Sequence, residues 1–366
     1  MALNPPHHTP VAIHFGGVET RFLQLRGRPG HWAVKSALTV QAAGNSRQAK
    51  AAEEVVQELR GRRWRGKDAV VGLGGSSVEL TLVPVDTTNT ERREKALRQA
   101  ALGSIEDPEG VSYRFLQVSE SPGQHRGEVL LLAMGSSEIR RTTTAVDSLG
   151  LRPVSLEMGA FGLARALMAT RKDDARPWGF LNLGFERSLF GILHQGQLAF
   201  LKPMQVDGQS LLRALEGAAD GIAAGTSEPS KWSAGGFGAF AAHEESEADS
   251  SPATADTLTQ LRSLDLEHAV TLLGAVRNKG EQLAEEVRAC VRHFHSRNRG
   301  ADLAGVSLSG FGASLPEVEE ALNEALDSPV TLARPFSELG IPAPSHVLDE
   351  EHLWTPALGL AMRGYE

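Results

Sequence analysis

Two short glycine turns, His14-Phe15-Gly16-Gly17 and Asn182-Leu183-Gly184, stand 168 positions apart from Gly16 to Gly184. Glycine at such turns lets backbone N–H groups approach an anion that a Cβ would hold off, so paired turns of this kind suit phosphate oxygens. A third turn, Ser309-Gly310-Phe311-Gly312-Ala313-Ser314, adds two more glycines near the end of the chain. Paired hairpin turns at half-chain spacing predict a duplicated fold with a ligand held between the copies.

Other groupings are weaker. Cys290, His293 and His295 lie close in sequence, but only the first two share a helix face, and no fourth ligand suggests itself. Gly-Ser-Ser-Val-Glu and Gly-Ser-Ser-Glu-Ile lack the G-x-S-x-G spacing of a nucleophile elbow. The dense basic run at residues 60–67, RGRRWRGK, reads as a solvated helix end, with acidic lipid or an acidic tail as the alternative contact.

The elements that would position the turns follow from periodicity. Each copy reads strand, glycine turn, strand, glycine, strand, over 10–35 and again over 178–203. Residues 45–64 form an amphipathic helix pattern with Ala51, Val55, Val56 and Leu59 on one face. DAVVGLGG is a buried type of strand. SSVELTLVPVD alternates, placing Val78, Leu80 and Leu82 on its apolar face and Pro84 at its edge. Residues 91–104 predict a helix. Another runs from a cap at Ser136 or Ser137 to a stop at Gly150. A helix begins at 209–217, the stretch 224–256 has a flexible, low-complexity composition, and the helical tract 267–297 has a potential break at Gly280.

The chain has 366 residues, 41% hydrophobic and 22% charged, enough for two domains or one two-lobed fold. A net charge of −8 argues against a broad nucleic-acid surface. A single cysteine excludes an internal disulfide and fits a reducing compartment. There is neither a signal-peptide pattern at the N-terminus nor a run of apolar residues of membrane-spanning length. A cytoplasmic protein is expected.

Taken in order, AIHFGGVETRFLQL, AVVGLGGSSVELTLVPVD, VLLLAMGSSEIRRTTTAVDSLGLRPVSLEMGAFGLARAL, GFLNLGFERSLFGILHQGQLAFLKPMQVDGQSL, EQLAEEVRACVRHF and VSLSGFGASLPEVEEAL resemble the PilM proteins of type IV pilus assembly, relatives of FtsA within the actin-like superfold. The resemblance implies an α/β, ribonuclease H-like, duplicated two-lobe fold with inserted small subdomains. Its first-lobe core would be 9–85, completed by about 159–177 and 352–366, with a subdomain inserted at 86–158. The second-lobe core would be 178–208 and 301–351, with 209–300 inserted.

The resemblance also implies a nucleotide site at His14, Gly16, Gly17, Asn182, Gly184, Gly310, Phe311 and Gly312. In that family an aspartate precedes each hairpin turn and holds Mg²⁺. Here His14 and Asn182 stand in those places, and Phe311 interrupts the glycines of the adenosine turn. Neutral imidazole is a poor ligand for a hard cation, and an amide can serve neither as charge partner nor as base. Glu19, Glu157 and Glu186 are the nearest carboxylates that could substitute. No catalytic or metal-binding residue is expected, and Mg-ATP would be held weakly if at all.

The implied role is therefore a non-enzymatic scaffold. It would lie peripherally at the inner membrane and grip the N-terminal peptide of a PilN-like membrane partner, alongside other pilus platform proteins. A homo-oligomer is compatible with this role and nucleic acid is not. The alternatives are an active actin-like ATPase of pilus assembly, a sugar or acetate kinase of the same superfold, or a cytoplasmic GspL-like component of type II secretion.

Overall fold

The computed structural model describes residues 7–17, 19–41, 57, 59, 64–74, 77–86, 88–107, 109–120, 126–171, 176–214, 266–298, 302–315 and 318–364. The low-complexity stretch 224–256 lies outside the described residues. So does most of the helix pattern at 45–64, although its Leu59 is buried, 7% exposed.

Two sheets repeat one plan. The first is built from β1 (His7–His8), β2 (Val11–Phe15), β3 (Glu19–Arg28), β4 (His31–Gln41), β5 (Asp68–Leu73) and β9 (Arg152–Met158). Antiparallel β4–β3–β2 continues into parallel β2–β5–β9, and β1 pairs with the far end of β3. The second holds β10 (Trp178–Leu183), β11 (Ser188–His194), β12 (Gln197–Met204), β13 (Val306–Ser309) and β14 (Val330–Leu332). Antiparallel β12–β11–β10 likewise continues into parallel β10–β13–β14. The glycine hairpins occupy equivalent strands of separate sheets, the duplication expected of an actin-like fold.

Between β5 and β9 the chain leaves to build a third sheet, β6 (Glu79–Asp86), β8 (Arg126–Gly135) and β7 (Val111–Glu120), ordered β6–β8–β7 and antiparallel throughout. Helix α1 (Thr90–Ser104) starts at Asn89, whose side chain accepts from the Arg92 N–H, and covers one face. Its Leu97 and Ala101 pack on Val83, Val85, Val129 and Leu131 of the sheet. The expected apolar face of β6 is buried only in part. Val78 and Leu80 meet the main core on one side and Val83 and Val85 lie against α1 on the other, while Leu82 is 44% exposed and Pro84 is exposed.

Two further expectations are corrected. Helix α2 (Ser136–Ser148) is capped from outside. Asp107 Oδ2 accepts from the N–H of Ser137 at 2.9 Å and from its hydroxyl at 2.6 Å, while Ser136 N–H donates to Gly110. Helix α4 (Leu266–Arg297) runs unbroken through Gly280, which instead lets it approach α5 (Val318–Ala325): a Cβ there would lie 2.8 Å from that of Ala321.

The sheets are joined by one apolar core. Ile13 and Val71 share it with Phe180, Leu189 and Leu193 of the second sheet. Helices α3 (Gly159–Thr170) and α6 (Glu351–Ala361) are apolar and buried around most of their circumference, as central helices must be. They cross at Gly162 and Gly359, where a Cβ on Gly359 would stand 1.7 Å from the Gly162 carbonyl oxygen. Arg165 spans the same junction, donating to Glu157 at 2.8 Å and to the Gly359 carbonyl at 2.9 Å.

Candidate functional site

The hairpin turns are built alike. Gly16 N–H closes the first by donating to the Glu19 carbonyl at 2.9 Å. A Cβ on Gly16 would lie 2.7 Å from that oxygen, and one on Gly184 would lie 2.4 Å from the Arg187 carbonyl oxygen. Each turn therefore needs a residue without a side chain.

The turns also meet. A Cβ on Gly17 would stand 2.9 Å from Cβ and Cδ1 of Phe185 and 3.3 Å from Cγ of Glu186. A methyl group on Gly17 would therefore collide with Phe185 of the other turn. Arg187 extends the bridge, donating to the Val78 carbonyl at 2.8 Å and to Glu79 at 3.3 Å. A residue of the second hairpin turn is thus hydrogen-bonded to the strand that leads into the inserted sheet.

His14, next to last in β2, lies beside the N-terminus of α3, and a Cβ on Gly159 would lie 2.7 Å from its Nε2. Its Nδ1 is buried without a partner among the described residues. Burial, and secondarily the Arg21 charge, lower its pKa to about 3, so the ring stays neutral. Asn182 Oδ1 accepts from the Ser309 hydroxyl at 3.1 Å, which ties β10 to β13. Gly310, at φ +86°, packs on the same oxygen: a Cβ would approach it to 2.7 Å.

Phe311 packs edge to face with Phe185, ring centroids 5.7 Å apart, and against Gly208, where the chain enters a helix at 208–214. Gly312 lies over Leu183 and Leu211. The predicted residues therefore fall into two linked groups. Gly16, Gly17 and Gly184 form the touching turns, with His14 beneath the first. Asn182, Gly310, Phe311 and Gly312 form a packed corner of the second sheet.

Sequence reasoning missed the groups that tie α6 to this corner. Ser314 Oγ and His352 Nε2 are 2.7 Å apart, and Gly310 N–H donates to the His352 carbonyl at 3.3 Å. His352 is 8% exposed, and burial, followed by the fields of Arg21 and Arg334, lowers its pKa to about 4. Arg21, 6% exposed, pairs with Glu19 and lies 5.8 Å from the centre of the Trp354 ring. Nearby Glu350 has its carboxyl pKa raised by burial, against the opposing pull of Arg21. Nothing in the spacing of these residues marks them. Of the substitute carboxylates, Glu19 is held by Arg21, and Glu157 by Arg165 and Arg363 at 2.8 and 3.1 Å. Glu186 sits at the turn tip against Gly17.

The fold's likeness to solved structures is extensive. Over 98% of this chain and 99% of the other, it resembles a chain of a PilM–PilN type IV pilus biogenesis complex, with a TM-score of 0.70 and 19% identity. It also resembles the ethanolamine utilization protein EutJ from Carboxydothermus hydrogenoformans, with a TM-score of 0.52 and 13% identity over 99% and 91% of the two chains. Neither a family model nor a curated protein sequence matches the chain. The architecture is the actin-like, duplicated two-lobe fold.

Proposed function

We propose that this chain is a nucleotide-independent scaffold of a type IV pilus or related secretion platform, holding an extended peptide of a PilN-like membrane protein. The observation that carries the reading is the end-to-end likeness, at a TM-score of 0.70, to a chain of a PilM–PilN complex. The state of the cleft supports it: the two turns are in contact at Gly17 and Phe185, and His14 and Asn182 replace the acids that would hold Mg²⁺.

Peptide capture needs a sheet edge and apolar contacts, and it does not need a working ATPase. The inserted sheet and the first-lobe sheet end in β6 and β9, with α2 packed between β8 and β9. Each terminal strand carries an exposed apolar side chain, Leu82 at 44% and Val154 at 51%. No described helix is long and apolar enough to cross a membrane.

Calorimetry tests both halves. A synthetic N-terminal peptide of a PilN-like protein should bind without nucleotide. Mg-ATP should bind at about millimolar Kd or weaker, roughly 4 kcal/mol, with no turnover. Micromolar Mg-ATP affinity, or hydrolysis above a buffer blank, would overturn the scaffold reading.

A further inference from the structure

The end of the first sheet opposite the hairpin turns carries a charge that the rest of the chain does not prepare for. The parallel strands β2, β5 and β9 begin there, at Val11, Asp68 and Arg152. Arg26 sits beside His8 at the same end, and Lys35 lies on β4 at the register shift opposite Gln24 and Leu25, close enough for its charge to act on His8. Arg65 and Lys67 lie in the segment entering β5, and Arg152 opposes Asp68. The band crosses the full sheet, about 20 Å at the usual strand spacing.

Among the described residues, only Arg152 of these five cations has a carboxylate partner, Asp68, at 2.5 Å. This is unexpected in a chain with 45 acidic and 37 basic residues, where carboxylates are available to neutralise such a cluster. The cations also depress one another's neighbour: the pKa of His8 is lowered by burial and then by Lys35, Arg65 and Arg26.

The segment is anchored. Gln24, fully buried, gives its whole amide to it, donating to the Arg65 carbonyl at 2.7 Å and accepting from the Arg65 N–H at 2.9 Å. The same nitrogen donates to the Thr9 carbonyl at 2.8 Å, and Arg152 N–H donates to the Lys67 carbonyl at 2.6 Å. An open pocket of about 430 Å³ lies here, lined by Thr9, Pro10, Arg65, Gly66, Lys67, Arg152 and the Asp68 that pairs with Arg152.

We propose that this end of the sheet docks on an anionic phospholipid membrane, with Arg26, Lys35, Arg65, Lys67 and Arg152 facing the headgroup phosphates. A peptide partner would be recognised through apolar or aromatic anchors, and no large apolar side chain lines the pocket. A wide band of cations suits a surface that presents phosphates at every position, where no register has to be matched. The basic run at 60–67 extends into this segment through Arg65 and Lys67, while residues 60–63 lie outside the described residues.

Co-sedimentation of the full chain with vesicles tests the assignment. Phosphatidylglycerol-containing vesicles should retain the protein, phosphatidylcholine vesicles should not, and added salt should weaken retention. Replacing Arg65→Gln with Lys67→Gln should lower the partition coefficient by about thirtyfold, from the usual effect of one basic residue near such a surface. Lys95→Gln with Arg98→Gln on α1 removes the same charge elsewhere and should change it little. Absence of retention, or equal loss in both double variants, would overturn the proposal. So would displacement by inorganic phosphate at matched ionic strength, which would assign a free phosphate, or binding of a Glu-rich peptide where vesicles fail. None of these outcomes bears on the peptide and nucleotide measurements above.

Discussion

Acidification should destabilise the protein through two buried histidines. The pKa of His14 is lowered to about 3 and that of His352 to about 4, each chiefly by burial. In the unfolded chain both return to about 6.5. Below that value the unfolded state takes up protons that the native state refuses, so stability falls as pH falls, until each folded pKa is reached. Between about pH 7.5 and about pH 5 the loss is roughly 2 kcal/mol per histidine, or about 4 kcal/mol together. Other groups share the neighbourhood: Arg21 and Arg334 oppose protonation of His352, while Glu350, with its raised pKa, takes up a proton early in the native state and offsets part of the loss.

Comparison with a His14→Gln, His352→Gln variant isolates the histidine contribution. Glutamine keeps a polar group that can face Ser314. Urea unfolding at the two pH values should show a drop about 4 kcal/mol smaller in the variant than in the parent. Ring proton resonances of both histidines should also stay untitrated down to about pH 5. An equal drop in both proteins, or either ring titrating near 6.5, would refute the assignment of buried neutral imidazoles.

Phe185 and Phe311 should show a coupling of about 0.5–1.5 kcal/mol in a double-alanine cycle read by urea unfolding, given their edge-to-face packing. Gly359→Ala should cost more than about 3 kcal/mol or abolish folding, because its Cβ would collide with the Gly162 carbonyl. Gly30→Ala, with open space but φ +81°, should cost only about 1 kcal/mol in the same assay. Cys290 is 2% exposed and its thiol pKa is raised by burial, so it should react with a thiol reagent only after unfolding. Rapid reaction of the native protein would contradict that burial.

The repeated strand–turn–strand plan is local, and so it was legible in the sequence. Alternation after the first glycine turn, the matching strand–turn–strand order over 178–203, the continuous apolar run of β5 and the paired glycine turns predict two equivalent sheets before any contact is known. Residue identity also showed that neither hairpin turn is preceded by an acid, since His14 and Asn182 are facts of the chain. What periodicity could not reveal depends on pairs of residues far apart in the chain. Whether the turns stay open or touch is decided where Gly17 meets Phe185, and Arg187 and Val78 make the bridge beside them. The cap of α2 comes from Asp107, thirty residues before Ser137, and so lies outside any local capping pattern. Which side of β6 is buried at each point depends on what packs there, α1 against Val83 and Val85 and the main core against Leu80, a choice that alternation alone leaves free. His352 drew no notice in the sequence because an isolated histidine in a helix has no signature. Only the crossing of α6 past the last turn, which brings Ser314 to 2.7 Å, makes it part of the site.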